Sequence, residues 1–305
     1  MTDATRLHFQ DTPGLLSQYG RALLARPGKT SSPHLPGIEA WQTSVRADAD
    51  KVAAYARVCG FNPDAPGLPI TYPHILAFPL HMELMLHKDF PLALMGLVHI
   101  RNHITQHRTI QLSDKLDICC RFNPLQETDK GLEFDICTEI SCGGEIVWES
   151  VSTNLARHPR SSQRRTARVR PAPASFSEHE DWELASNLGR RYARVSGDSN
   201  PIHLFTLSAR LFGFPRHIAH GMWSKARAAA TLMPLLNSER CSLSCDFRLP
   251  LFLPANAVLH WNPPQQHTPA STHFELRSSD GHKTHLQGRV FIPDTAAMMP
   301  VTTQQ

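Results

Sequence analysis

Residues 132 to 155, LEFDICTEISCGGEIVWESVSTNL, alternate apolar and polar side chains on either side of Gly143-Gly144, and residues 273 to 292, HFELRSSDGHKTHLQGRVFI, do so around Asp280-Gly281. A period of two with a glycine-bearing turn at its centre predicts a β-hairpin in each stretch. LVHIRNHITQ, KLDICCRF, CSLSCDFRLPLF and AVLHW read as further strands. AFPLHMELML and the alanine-rich run His220 to Leu236, HGMWSKARAAATLMPLL, predict longer helices instead. ADADKVAA and SEHEDWELASNLGRR read as shorter helices, the second opening with a capping box in which Glu180 follows Ser177 three residues on.

The elements recur. Tyr55 to Gly60, YARVCG, and Tyr192 to Gly197, YARVSG, lie 137 residues apart, and so do Gly144 and Gly281. Each copy orders as helix, motif loop, longer helix and several mostly antiparallel strands, so the expected class is α+β: two tandem units, each a sheet covered by its long helix. Between the copies, residues 157 to 170, RHPRSSQRRTARVR, hold six arginines and no acid. Followed by PAPAS, the run reads as an exposed linker, which divides the chain into units 1–156 and 175–305 joined by 157–174.

Charge and cysteine content narrow the function classes. With 41% apolar and 19% charged residues among 305, the chain can bury real cores. No apolar run approaches the roughly 20 residues needed to cross a bilayer, and Arg6, Asp11, Arg21, Arg26 and Lys29 leave no signal-peptide core in the first 30 residues, so a cytoplasmic protein is expected. Seven cysteines without a Cys-x-x-Cys pair argue against a disulfide framework and a thiolate metal site. Residues 1–150 carry a balance of −4 and residues 151–305 one of +8, which favours an anionic ligand on the second half. The arginine run lacks the interleaved aromatics of a nucleic-acid surface, so no nucleic-acid partner is expected.

Two constellations could carry chemistry. His99, His103 and His107 recur every fourth position, but their β-branched neighbours favour a strand, where four residues span roughly 13 Å, and no shared metal is expected there. The stretch Asp198-Ser-Asn-Pro-Ile-His203 places a carboxylate and an imidazole five residues apart across an Asn-Pro turn, a pair able to hold and polarise one water. The same stretch also reads as an Asx turn closing the preceding helix, with His203 on the surface. Gly221 then falls at the start of the alanine-rich helix, where unpaired N–H groups suit a developing oxyanion.

The run YARVSGDSNPIHLFTLSARLFGFPRHIAHGM resembles the signature of the MaoC-like, R-specific enoyl-thioester hydratases and 3-hydroxyacyl-thioester dehydratases of the hotdog fold. The repeat is similar to the tandem, double-hotdog branch, a pseudo-dimer whose leading copy has lost its catalytic pair. The resemblance implies that Asp198 and His203 bind the catalytic water, that Asn200 and His220 support them, and that the Gly221 amide polarises the thioester carbonyl. Phe214, Arg216 and Met222 on the same run are candidate substrate contacts. It further implies water addition across a trans-2-enoyl thioester to the R-3-hydroxyacyl product, or the reverse. No cofactor and no metal are expected; the partners are an acyl-CoA or acyl-carrier-protein thioester and a second double-hotdog chain, and not a membrane. A hotdog thioesterase and a noncatalytic acyl-thioester binder stand as alternatives, though Met222 to Leu236 lacks the acid such thioesterases carry.

Two places depart from the family pattern: Phe205-Thr206 stands where Asp-Pro is common, and His217 where proline is common. They bear on substrate preference more than on the chemistry. The first copy continues as FNPDAPGLP, with Phe61 where the acid is expected, no histidine three residues after Asn62, and Asp64 too late to replace it. Its helix region, TYPHILAFPLHMELML, is then free to open room for an acyl chain.

Overall fold

The computed structural model describes residues 5–24, 33–94, 96–157, 174–264 and 270–293. The expected linker lies almost wholly outside them. The first unit runs β1 (Thr5–Phe9), α1 (Leu15–Leu24), β2 (Ile38–Val45), α2 (Ala49–Cys59), α3 (Tyr72–Met85), β3 (Val98–Gln106), β4 (Leu116–Phe122), β5 (Gln126–Thr128), β6 (Gly131–Cys142) and β7 (Glu145–Arg157). The second runs β8 (Glu178–Leu184), α4 (Leu188–Ser196), α5 (Thr206–Leu211), α6 (Gly221–Leu232), β9 (Cys241–Phe247), β10 (Ala255–Trp261), β11 (Ser271–Ser278) and β12 (Thr284–Phe291). No described helix is long and apolar enough to cross a membrane.

One sheet joins both units in the order β1-β2-β4-β6-β7-β3-β9-β12-β11-β10-β8, with β5 on the edge of β6. Apart from β1 and β5, the second half of that order repeats the first in reverse, as a two-fold relation between copies requires. Residues 137 positions apart meet where the axis passes. Thr105 faces Ser242 across β3 and β9, their hydroxyls 3.1 Å apart, and the rings of Tyr55 and Tyr192 lie 6.1 Å apart between α2 and α4. The two predicted hairpins are β6–β7 and β11–β12.

The expected helix at Ser177 is a strand. In β8, EHEDWEL, Trp182 and Leu184 point inward and Asp181 and Glu183 outward, a period of two, and the free edge of β10 supplies the ladder. Glu180 has no capping role: it binds Arg227 and the Thr231 hydroxyl of α6. The helix starts only at Leu188, so each unit opens strand then helix, β2–α2 and β8–α4.

The central helices differ more than the sheets. From the capping glycine to the helix start is 12 positions in the first copy, Gly60 to Tyr72, and 24 in the second, Gly197 to Gly221. α3, YPHILAFPLHMELM, spreads apolar residues around its circumference and is largely buried, with His74, His81 and Glu83 its polar exceptions. Pro79 within it has no N–H for the Ile75 carbonyl. α6 buries Lys225, whose ammonium donates to the Asn102 and Leu243 carbonyls at 2.9 Å each and to the Asn102 side chain, so one cation ties α6 to both middle strands. All seven cysteines are free, five of them buried.

Candidate active site

α4 ends at Gly197, whose φ of +75° suits a residue without a Cβ, and a Cβ there would also lie 2.1 Å from Leu15 of α1. Beyond it the Asp198 carboxylate accepts the Asn200 N–H at 3.1 Å, and the Asn200 side chain accepts the Ile202 N–H at 3.3 Å. Asn200 thereby caps the single tight turn, Pro201–His203, that carries the histidine. The Asx turn is therefore present, but His203 is buried, 8% exposed, rather than on the surface. Gly189 allows this: a Cβ there would stand 2.0 Å from the His203 carbonyl oxygen. His203 Nδ1 donates to the Ile218 carbonyl at 2.8 Å, which fixes the tautomer and leaves Nε2 as an acceptor.

The opposite wall is the segment leading into α6. The Ile218 N–H donates to the Ile202 carbonyl at 3.1 Å and the Ala219 N–H to the Leu251 carbonyl at 2.8 Å, so Gly221 opens α6 from a fixed start. His220 precedes the helix without capping it through its side chain. Its ring stacks on His203 with centroids 3.7 Å apart, and its Nε2 donates to the Asp198 carbonyl at 3.0 Å. The first-turn N–H groups of α6, with no intrahelical partner, are left to whatever lies in front of Gly221. A Cβ on Gly221 would meet the Phe247 ring at 2.8 to 3.1 Å, so this position is closely fitted.

A third contributor comes from the other copy. Tyr19 on α1 donates its hydroxyl to Asp198 Oδ1 at 2.8 Å and accepts the Ser199 N–H at 2.8 Å. α1 is held in place by Gln18, which donates to the Pro79 carbonyl and Glu83, and by the Arg21–Glu83 ion pair at 2.7 Å. Burial raises the Tyr19 pKa, and the Asp198 charge raises it further, so its hydroxyl stays a donor. Burial alone would raise Asp198, but His220, His203, the Tyr19 hydroxyl and the Asn200 N–H outweigh it and hold the carboxylate below its ordinary range. Burial lowers His203, against the pull of Asp198 and Ile218, and lowers His220 to about 3. The resulting site pairs an ionised carboxylate with neutral imidazoles.

A cavity of about 1390 Å³ opens onto these groups. Asp198, Asn200, His203, His220, Gly221, Phe214 and Met222 all line it. Arg216 is not among its lining residues: it is exposed, with its guanidinium 5.9 Å over the Phe252 ring. The cavity passes Phe247 and continues into the first unit, along Ile75, Phe78, Met82 and Met85 of α3. The motif loop of that unit is filled differently, since Phe61 packs against the core and Asn62 accepts the Asp64 N–H at 3.0 Å.

The two departures beside the pair are bonded to each other. Thr206 and His217 Nδ1 lie 3.0 Å apart, and His217 Nε2 donates to the Ser186 carbonyl at 2.7 Å. They form a strut outside the cavity lining. His99 and His103 lie on β3 with His107 just past its end, as a strand rather than a metal-binding helix face. Among the described residues, Asp198, His203 and His220 bring one ligand atom each within 4.8 Å of one another. Such a set could grip a cation, but two of its imidazole nitrogens already donate to backbone carbonyls. What remains is the carboxylate, His203 Nε2 and the buried, unpartnered His220 Nδ1; the first two are a pair of acceptors suited to one water.

Residues 161–257 match the MaoC like domain. Over 254 residues the chain is 35% identical to 3-hydroxyacyl-thioester dehydratase X of Mycobacterium tuberculosis, covering 81% of this chain and 88% of that protein. The chain belongs to the MaoC-like family. The crystal structure of that MaoC-like relative, HtdX, matches with a TM-score of 0.70 at 34% identity, covering 83% of this chain and 98% of its own. A MaoC-like dehydratase from Phytophthora capsici shares the fold at 18% identity, with a TM-score of 0.68 over 86% of this chain and 97% of its own. So does an M. tuberculosis protein described as a double hotdog fold, at 12% identity and a TM-score of 0.53 over 89% and 97%. This MaoC-like chain is accordingly two tandem hotdog units.

Proposed function

We propose that the chain is a hydro-lyase that interconverts trans-2-enoyl and R-3-hydroxyacyl thioesters, with its chemistry in the second copy. The observation that carries the reading is the convergence of the Asp198 carboxylate, His203 Nε2 and the Gly221 helix start on one cavity. The relative's name, a 3-hydroxyacyl-thioester dehydratase, supports it. A water donating one hydrogen to Asp198 and the other to His203 Nε2 has its lone pairs directed away from both, toward a substrate carbon. As the new C3–O bond forms, one of the two acceptors takes the water's proton. The π pair moves to C2 and the thioester oxygen, where the Gly221 N–H and the α6 dipole meet the charge. C2 then takes that proton back from the pair, which returns to its starting state as the carbonyl reforms; dehydration runs the same steps backward.

Tyr19 and Asn200 act as positioning residues, holding the carboxylate and the histidine turn. Phe214 and Met222 flank the reacting end of the acyl group, and the apolar stretch along α3 takes its tail. In this reading residues 1–156 form a noncatalytic unit that houses the chain, 175–305 form the catalytic unit, and no cofactor takes part. The thioester is carried by coenzyme A or an acyl carrier protein, two double-hotdog chains pair as a homodimer, and the protein works in the cytoplasm, a reading that its free cysteines support. The test is hydration of crotonyl-CoA, longer enoyl-CoAs and matched carrier-protein substrates, with product stereochemistry determined. The R-3-hydroxyacyl product, formed at the same rate after chelator treatment, is expected. The S product, or release of free thiol without consumption of the double bond, would overturn the reading.

A further inference from the structure

The tail of the cavity is not uniformly apolar. His74 and His81 on α3 and His99 on β3 all line it, with ring centroids 5.3 Å apart for His74 and His81 and 6.2 Å for His74 and His99. His99 in turn lies 5.0 Å from Phe247, the ring against which Gly221 is fitted. The imidazoles therefore form a line leading from the Phe247 ring beside Gly221 into the first unit. His81 is anchored, its Nε2 2.7 Å from the Thr138 hydroxyl. His74 Nδ1 and His99 Nε2 are buried and have no protein partner, and His74 as a whole is only 6% exposed.

Orphaned polar atoms of this kind are unusual. Buried ring nitrogens are nearly always hydrogen-bonded, because one left unpaired forfeits the bond it made to water in the unfolded chain. A purely hydrocarbon tail would desolvate both nitrogens and bond neither. Burial, with repulsion from Lys225 and, for His74, from His81 and His99, keeps His74 and His99 neutral, so they are poor partners for an ionised carboxylate at the chain end. Each unpartnered nitrogen of a neutral imidazole is either a donor or an acceptor, and one hydroxyl, with one hydrogen and two lone pairs, answers both when at least one of the two carries the proton.

We infer that His74 and His99 form a specificity site for an acyl thioester whose chain carries a hydroxyl group beyond C3, held between their two unpartnered nitrogens while the rest of the tail lies against the apolar wall. The inference deepens the functional reading above and rests on it for the identity of the thioester. A selectivity of about tenfold over the plain chain corresponds to one net hydrogen bond gained.

The test uses saturated acyl-CoAs, which cannot be hydrated, so that binding is read independently of turnover. Titration calorimetry compares tetradecanoyl-CoA with analogues in which a hydroxyl moves one carbon at a time along the chain beyond C3. The expected result is a Kd about tenfold lower at one or two adjacent positions. His74→Leu and His99→Leu should remove that preference while plain tetradecanoyl-CoA binds as well or better. Equal or weaker binding of every hydroxylated analogue by the unaltered protein, as when water alone satisfies the two nitrogens, overturns the inference without recourse to variants. A preference that survives both substitutions overturns its assignment to these histidines. If the preference is found but no enoyl-CoA is hydrated, the functional reading falls and the hydroxyl site stands.

Discussion

The two motif loops start alike and part at one residue. α2 and α4 both end at a left-handed glycine, Gly60 and Gly197, and both loops fold an asparagine side chain back onto a backbone N–H two positions on. After that, Phe61 goes into the core, whereas Asp198 stays 31% exposed to a cavity, ringed by Tyr19, His203 and His220. The comparison separates what ends a helix from what does chemistry: the first loop shows that glycine and asparagine suffice for the turn. In the proposed reading the two copies divide the labour. The copy without the pair supplies Tyr19 to the carboxylate and the apolar wall of α3, and the copy with the pair carries the longer loop that closes over it.

The largest effect expected from breaking this asymmetry is at the histidine. His203→Ala should lower kcat/KM for enoyl-CoA hydration by about 10³-fold, within the range of a lost acid-base group. Phe61→Ala, at the counterpart loop, should leave kcat unchanged and cost about 2 kcal/mol in denaturant unfolding as a partly buried ring is lost. Gly221→Ala, which drives a Cβ into the Phe247 ring, should lower kcat about 10²-fold with KM little changed, because the amide moves relative to the developing oxyanion.

The pH profile tests the contribution that crosses between copies. The reactive form has Asp198 ionised and His203 neutral, and His203 lies below its ordinary 6.5. Activity should therefore be flat through neutrality and fall as pH drops through that lowered value, where His203 gains a proton and loses its acceptor. Tyr19→Phe removes a hydrogen bond that lowers Asp198, so the carboxyl pKa rises and the later, more acidic part of the fall, where Asp198 takes its proton, moves to higher pH while the limb set by His203 stays. At neutral pH the variant should be slower by about tenfold. The smallest effect belongs to the strut behind the loop: Thr206→Val should cost about 1 kcal/mol of stability with kcat/KM unchanged.

Much of the architecture was legible in the sequence because a repeat leaves two independent readings of one unit. The offset of 137 located both hairpins and the helix-ending glycines, and Asp198, Asn200, His203 and Gly221 do line one cavity. The strand at Glu178–Leu184 was misread because its acids mimic a helix start, while the open edge of β10 decides its conformation. Arg216 sits next to site residues in sequence but on the outside of the turn, which spacing in an irregular loop does not reveal. Tyr19 was missed because 179 positions separate it from Asp198, and no local pattern marks a hydroxyl whose partner is in the other copy. The Thr206–His217 pair was visible only as two separate oddities; their contact makes them one structural substitution.

The central claim is that one copy does the chemistry and the other shelters the chain. The most direct test is the hydration rate of Asp198→Asn, a substitution that keeps the side chain's size and leaves the first copy intact, measured beside its melting temperature. A fall of at least about 10³-fold with an unchanged melting temperature is expected. A folded Asp198→Asn protein that hydrates enoyl-CoA at the original rate would contradict the account.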